Sequence, residues 1–220
     1  MRYSLRHVFE SNRETTREER HTNWSVFLLY RWPGMIMAWL FLLIPLTPTR
    51  VTSLMLIPVA LLPLSALFLP LSVAGIVACA LALLIFALDC ADGAMARASG
   101  QSSAAGARYD FLLDMFTWGV LYASMGILAD RMAEGGTFWT MIGFAAAWLR
   151  LFARVCNDRA PETDAPSALP RFWSATWFLD GLSGLIPLCL LSGSLMPAAV
   201  IAVLIYSIGD VVFALKRVIE

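Results

Sequence analysis

Four aspartates fall within a stretch of 26 residues in this sequence. Asp89 and Asp92 are spaced i, i+3, and Asp110 and Asp114 are spaced i, i+4, so each pair shares one face of a helix. Neighbouring carboxylates repel one another unless cations neutralise them, and ligand sets made only of oxygen suit Mg²⁺, Mn²⁺ or Ca²⁺. The chemistry that this spacing favours is the binding of hard divalent cations.

Small and basic residues accompany the four acids. Gly93 and Ala96 leave room for a bulky ligand or a close backbone. Arg97 follows one helical turn after Gly93 and can offer a bidentate fork to a phosphate group. The alternatives are a solvated acidic loop and an arginine that only anchors a helix end.

The helices that must position these residues are predicted from a very apolar chain. Of 220 residues, 59% are hydrophobic and 15% are charged, whereas soluble domains carry about 25% charged residues. Mean hydropathy is +0.71. Residues 51–88 carry no charge, and a helix of that length is nearly twice as long as the roughly 30 Å hydrocarbon core is thick. We therefore predict an integral membrane protein that turns near residues 68–72. Because acids at membrane depth are costly and usually functional, the membrane context favours a ligand site.

Hydropathy predicts an all-α integral membrane protein with six transmembrane helices, preceded by an interfacial or re-entrant N-terminal helix. The predicted regions are a polar cytoplasmic segment at 1–23, the interfacial or re-entrant helix at 24–46 and a six-helix domain at 47–220. The predicted spans lie at about 50–69, 72–88, 107–129, 137–155, 173–195 and 197–215.

Charge distribution predicts the orientation in the membrane. In the six-span topology Arg131 is the one basic residue on the far side, and the opposite side is cytoplasmic by the positive-inside rule. The five arginines before residue 21 join that side only if residues 24–46 do not cross. We expect Arg31, within that segment, to reach the interface; a seventh span is the alternative. The predicted location is an inner, cytoplasmic-type membrane, with the acids facing the cytoplasm.

Composition argues against several other classes. The formal net charge is zero, from 16 basic and 16 acidic residues. The chain therefore has no excess of positive charge that would attract a nucleic acid. The charged first 23 residues do not resemble a cleavable signal peptide. The four cysteines lack C-x-x-C spacing and are interpreted as small core residues, not as disulfides or zinc ligands: Cys79, Cys90, Cys156 and Cys189.

The acidic stretch resembles the signature of the CDP-alcohol phosphotransferase family, also called CDP-alcohol phosphatidyltransferases. Eight fixed residues match in one register, and the span count extends the resemblance over most of the chain. The stretch "TPTRVT" at 47–52 resembles the family's Pro-Asn-x-x-Thr start of the first span, with Thr49 where Asn is usual. The matching residues are Asp89, Asp92, Gly93, Ala96, Arg97, Gly106, Asp110 and Asp114.

The resemblance implies transfer of a substituted phosphate from a CDP-linked alcohol to a hydroxyl, with release of CMP and two Mg²⁺ or Mn²⁺ ions. It also implies a homodimer in the lipid bilayer. Asp114 would be the catalytic base and a metal ligand. The other implied metal ligands are Asp89, Asp92 and Asp110. The implied CDP-binding residues are Asp89, Asp92, Gly93, Ala96, Arg97 and Gly106.

Other charged residues lie near the cytoplasmic end of an apolar segment, as Arg150 and Arg154 do, or inside one, as Asp180 and Asp210 do. Arg150 and Arg154 are spaced i, i+4 and are candidates for acceptor binding, because family members with phosphorylated acceptors use basic residues near this place. Anchoring to lipid headgroups is the alternative. Asp180 and Asp210 call for a partner within the membrane, and pairing with an arginine is favoured over a role in an acceptor cavity.

The favoured function is a phospholipid-biosynthesis enzyme that uses CDP-diacylglycerol as donor and a small polar alcohol, or its phosphate, as acceptor. The alternative reverses the polarity, with a CDP-linked small alcohol as donor and diradylglycerol or another lipid as acceptor. Two remote alternatives are an intramembrane prenyltransferase, which would carry two distant acidic clusters, and a cation transporter. A transporter would carry acids in each half of an internal repeat, and the sequence shows no such pair.

Overall fold

The structure, a computed structural model, describes residues 3–159, 178 and 181–219. Helices are the regular elements of these residues, and no strand occurs among them, so the all-α prediction is confirmed. Two 3₁₀ helices, Ser183–Leu191 and Gly193–Leu195, precede the last α-helix. The helices are α1 Leu5–Ser11, α2 Arg13–Thr22, α3 Trp24–Leu42, α4 Pro48–Phe68, α5 Leu71–Ser99, α6 Ala104–Met132, α7 Phe138–Arg159 and α8 Met196–Ile219.

Six of the described helices are long and apolar enough to cross a membrane, which is the predicted number. The set differs from the predicted one in two places. By length and composition α3 belongs to it, whereas the predicted span at 173–195 falls largely outside the described residues. The six are Trp24–Leu42, Pro48–Phe68, Leu71–Ser99, Ala104–Met132, Phe138–Asp158 and Gly193–Ile219. The protein is a multi-pass membrane protein.

The chain divides into two compact units. We call Met1–Pro58, Leu83–Leu113 and Ala168–Ile186 the first unit, and Val59–Ala82, Asp114–Ser167 and Pro187–Glu220 the second unit. Helices α4, α5 and α6 each contribute residues to both.

In the first unit, α3 packs closely on α5. A Cβ atom added to Gly34 would lie 2.6 Å from the Cβ of Cys90, so glycine is required for this approach. The Tyr30 ring lies 5.4 Å from the Phe86 ring, and the Tyr30 hydroxyl donates a 2.6 Å hydrogen bond to the Gly184 carbonyl. These contacts bury the inner face of α3 near the end of α5 that carries the motif.

The two flanks of α3 lie at the same end of α5. Before α3, the Asn12 amide donates to the Ala94 carbonyl at 3.3 Å; after it, the Thr52 hydroxyl donates to the Asp92 carboxylate at 2.5 Å. Both contacts lie within one turn of α5, so the two flanks of α3 meet near the end of α5 that carries the motif. The interfacial or re-entrant placement of α3 stays a prediction, since its length and composition are also those of a helix that could cross a membrane.

Arg31 differs from its expected position at the interface. Arg31 lies in a π-helical turn of α3, Phe27–Arg31. It is only 3% exposed and forms an ion pair with Glu19 of α2. A buried guanidinium needs a counter-charge, which α2 supplies because it folds back over α3. The polar N-terminal segment is therefore packed on α3 within the first unit.

In the second unit, two glycines bring α6 and α7 into backbone contact. A Cβ atom on Gly126 would lie 2.5 Å from the Trp139 carbonyl oxygen, and one on Gly143 would lie 2.5 Å from that of Tyr122. The Asp130 carboxylate caps the start of α7 by accepting from the Trp139 amide at 2.8 Å. The register between α6 and α7 is thereby fixed.

Candidate active site

Motif residues from α5 and α6 line one polar cavity of about 200 Å³ in the first unit. The start of α4 and the turn between α5 and α6 complete its wall. Gly100, with a φ of 69°, adopts the left-handed conformation that ends α5 and starts this turn. The lining residues are Pro48, Thr49, Thr52, Asp92, Gly93, Ala96, Arg97, Gln101, Ser102, Ser103, Gly106, Ala107 and Asp110.

Two carboxylates face this cavity. Asp92 is buried and its Oδ2 accepts the 2.5 Å hydrogen bond from Thr52. Asp110 lies on α6, and its Oδ1 is also buried. Since Thr52 is neutral, its hydrogen bond orients the Asp92 carboxylate without cancelling its charge. Sequence analysis noted Thr52 as part of "TPTRVT" but missed its contact with Asp92.

Arg97 brings positive charge to the same cavity. Its Nε donates to Asn12 Oδ1 at 2.6 Å, and its terminal nitrogens lie beside Gly93, where an added Cβ atom would be 3.3 Å from Nη2. Sequence analysis missed Asn12, because nothing in the polar N-terminal segment marks it as a neighbour of the motif.

The small residues of the motif line the same cavity as Asp92, Arg97 and Asp110. Gly93 and Ala96 form the α5 wall, and Gly106 forms part of the α6 wall. The Gly106 amide donates to Ser103 Oγ at 3.1 Å, so a serine caps the start of α6. Short side chains on both walls keep the cavity open.

Asp89 and Asp114 are not among the described residues that line this cavity. Asp89 is half-buried on α5 and is absent from the cavity lining. Asp114 belongs to the second unit, where its carboxylate lies 3.3 Å from the Arg154 guanidinium. The structure thus brings Asp92 and Asp110 to one cavity and gives Asp114 a basic partner.

Arg150 and Arg154 have different surroundings within the second unit. Arg150 forms an ion pair with Asp210, and its guanidinium lies 4.9 Å from the Trp118 ring centre and 5.5 Å from that of Tyr206. The Arg154 side chain is 54% exposed. The predicted pairing of Asp210 with an arginine is confirmed, whereas Asp180 lies outside the described residues.

The cysteines agree with their interpretation as small residues within the fold. All four are free; Cys79 and Cys90 are buried, and Cys156 and Cys189 are partly buried. Among the described residues, no group of three His, Cys, Asp or Glu side chains is placed to hold a metal ion.

An all-α membrane fold with two carboxylates and an arginine around one cavity defines a membrane protein suited to a phosphate-bearing ligand. The family model for CDP-alcohol phosphatidyltransferase matches residues 44–206 of the 220. The chain belongs to this family and is a membrane transferase of phospholipid biosynthesis, which passes a phosphate group from a CDP-alcohol to an acceptor. A comparison with curated proteins gave no significant match.

Divalent metals are generally required in this family. The donors at the cavity fit that requirement by their chemistry, because the carboxylates of Asp92 and Asp110 are hard oxygen ligands. Among the described residues that line the cavity, none is a histidine or cysteine that would recruit zinc.

Proposed function

We propose that the protein transfers a substituted phosphate from CDP-diacylglycerol to the hydroxyl of a small polar acceptor and releases CMP. The observation that carries this proposal is the cavity of the first unit, which Asp92, Arg97 and Asp110 line together. An arginine can bind a pyrophosphate bidentately, and carboxylates beside it can hold the cations that neutralise its charge. The family membership supports the same assignment.

The donor site is assigned to residues of the motif. Two divalent ions, Mg²⁺ or Mn²⁺, would be held by Asp89, Asp92, Asp110 and Asp114 and would neutralise charge on the phosphates. The CDP part is assigned to Asp89, Asp92, Gly93, Ala96, Arg97 and Gly106. The small residues leave room for it and Arg97 contacts phosphate.

The reaction we propose is a single displacement. The acceptor oxygen forms a bond to the phosphorus that carries the lipid alcohol, while the bond from that phosphorus to the bridging oxygen breaks. The electron pair leaves with CMP, and the acceptor proton passes to Asp114 as general base. No covalent enzyme intermediate is needed.

Acceptor binding is assigned to Arg150 and Arg154. Arg154 is exposed and lies 3.3 Å from Asp114, so an anionic group held by Arg154 would bring its hydroxyl near the proposed base. Arg150 is held by Asp210 and two aromatic rings, which suits a residue that shapes the pocket. This arrangement favours a phosphorylated acceptor.

We also propose that the active site faces the cytoplasm. The positive-inside distribution supports this orientation, as does the contact of Asn12, the residue just before the arginine-rich α2, with Arg97 at the motif-bearing end of α5. A homodimer is proposed from the family resemblance.

The test is an assay of the purified protein in lipid nanodiscs. Labelled CDP-diacylglycerol is supplied with polyols and amino alcohols, each with and without a monophosphate, in Mg²⁺, Mn²⁺ or EDTA. We expect CMP and a lipid product only with a metal, and a lower KM for the phosphorylated form of the correct acceptor than for its phosphate-free form. Metal-independent CMP release would contradict the proposal, and CMP from a CDP-linked small alcohol with diradylglycerol would reverse the donor and acceptor.

A further inference from the structure

A side chain outside the family-matched residues 44–206 reaches the motif. Asn12 is 0% exposed, and its Oδ1 accepts the hydrogen bond from Arg97 Nε at 2.6 Å. The two residues are 85 positions apart in sequence. Both belong to the first unit, so the contact is internal to one compact body.

The orientation of the Asn12 amide is determined by its other partners. Its Nδ2 donates to the Val8 carbonyl at 2.8 Å and to the Ala94 carbonyl at 3.3 Å. Because carbonyl oxygens only accept, the nitrogen must point at them and the oxygen must point at Arg97. The amide can satisfy all three contacts in this orientation alone.

The local backbone explains why the side chain is so placed. Asn12 lies at the break between α1 and α2, with φ of −109° and ψ of 8°. Val8 is fully buried, and His7 Nε2 is within 2.9 Å of the Ala98 carbonyl. Together these contacts seat the break on the last turns of α5, which carry Arg97.

The contact with Asn12 leaves the two terminal nitrogens of Arg97 able to bind phosphate. A guanidinium has donors on Nε and on two terminal nitrogens, and Asn12 engages Nε alone. The terminal nitrogens lie beside Gly93 in the wall of the cavity. A side chain already held in this way loses less conformational freedom when it binds phosphate.

We infer that Asn12 is a positioning residue of the donor site: it holds the Arg97 guanidinium so that both terminal nitrogens face the pyrophosphate of the CDP-alcohol. The inference rests on the proposed function of the cavity. It extends the donor site to the N-terminal helices, which precede the family-matched residues.

The test compares two substitutions at the same position in nanodiscs. Asn12→Leu removes the acceptor oxygen at similar volume, and Asn12→Gln keeps a neutral amide that can accept from Nε. We expect Asn12→Leu to raise the donor KM and the Kd for CDP about tenfold, since hydrogen bonds to charged groups have this magnitude. kcat should stay close to wild type, and Asn12→Gln should restore part of the donor affinity.

A second background separates positioning from general stability. In Arg97→Ala protein, Asn12→Leu should leave the donor KM unchanged, because its effect passes through Arg97. The matched control is Asn23→Ala: Asn23 also caps a helix, accepting from the Val26 amide at 3.4 Å, and lies in the first unit but away from the cavity. It should lower the melting temperature and leave the donor KM unchanged.

Four outcomes overturn the inference. A wild-type donor KM in Asn12→Leu does so, as does an equal rise in the Arg97→Ala background. If wild-type protein binds no CDP, the proposed function fails and the inference fails with it, whereas normal CDP binding by every Asn12 variant refutes the inference alone. Should Asn12→Leu not fold, Asn12→Ser, which keeps a polar side chain but one too short to reach Arg97, must show the same rise.

Discussion

Asp92 in the first unit and Asp114 in the second are each the later acid of a closely spaced pair, but their partners differ. Asp92 accepts a 2.5 Å hydrogen bond from the neutral Thr52 hydroxyl. Asp114 faces the Arg154 guanidinium at 3.3 Å. A hydroxyl leaves the negative charge of a carboxylate in place, whereas a guanidinium balances it. Two acids with similar spacing in sequence therefore differ in the negative charge that each can offer to a ligand.

The arginines show the same contrast. Arg97 is tied through Nε to a neutral amide, so its charge remains available in the first unit. Arg150 in the second unit is tied to the carboxylate of Asp210. The first unit thus keeps charges of both signs at its cavity, and the second unit pairs them with each other.

The largest expected effect comes from Asp114. Asp114→Asn removes the proposed base while keeping the shape of the side chain, and general-base removal lowers rates by about 10²–10⁴-fold. We expect CMP release to fall by at least about 100-fold in the nanodisc assay. Asp158→Asn, an exposed position on α7, should retain full activity; undiminished turnover in Asp114→Asn would rule out the base assignment.

The next largest effect is expected on stability, at the ion pair between Arg150 and Asp210 in the second unit. Arg150→Gln leaves Asp210 without its counter-charge, and breaking a buried pair costs about 3–5 kcal/mol. We expect the low end of this range, because the two side chains are 19% and 22% exposed. Thermal unfolding in detergent measures the loss.

The double variant Arg150→Gln, Asp210→Asn is the control for that pair. It should recover part of the stability, because neither partner then carries an unpaired charge. If the double variant loses as much stability as Arg150→Gln and Asp210→Asn lose together, the two side chains do not stabilise each other.

A smaller effect is expected at the exposed arginine. Arg154→Gln should raise the KM of a phosphorylated acceptor about tenfold, through the loss of a charge-assisted hydrogen bond, and leave the donor KM unchanged. Kinetics with each acceptor and its phosphate-free analogue measure this. Arg217→Gln, another exposed arginine of the second unit, should change neither constant. Equal losses with both acceptors would argue against phosphate recognition by Arg154.

The smallest effect is expected from the neutral partner of Asp92. Thr52→Val should lower kcat about fivefold, which corresponds to about 1 kcal/mol for one hydrogen bond, and shift Mg²⁺ activation to higher concentration. Thr52→Ser should restore both. The neighbouring Ser53→Ala removes an exposed contact with Tyr109 and should have no effect; an equal loss there would assign the Thr52 effect to α4 as a whole.

The clustering of the motif was predictable because its spacing is local. Asp92, Gly93, Ala96 and Arg97 repeat at helical intervals, so any helix over this stretch presents them together. Helix α5 has 29 residues, about 43 Å at 1.5 Å per residue, so it exceeds the roughly 30 Å hydrocarbon core. Its motif-bearing end can leave that core while remaining helical.

Long-range pairings were not predictable in the same way. Asn12 and Arg97 are 85 residues apart, and Arg150 and Asp210 are 60 apart. No periodicity links a polar terminus to a distant helix end, because tertiary packing alone makes them neighbours. Hydropathy likewise does not distinguish a re-entrant α3 from a full span, since an apolar helix of 19 residues is long enough for either.

The close approach at Gly126 and Gly143 limits how this protein could evolve a new acceptor preference. The backbones of α6 and α7 are in contact there, so the two helices form a rigid pair that carries both Asp114 and Arg154. A larger residue at either glycine would push the helices apart and separate the acid from the arginine. Changes in acceptor choice are thus expected in the side chains of this helix pair, with the two glycines kept.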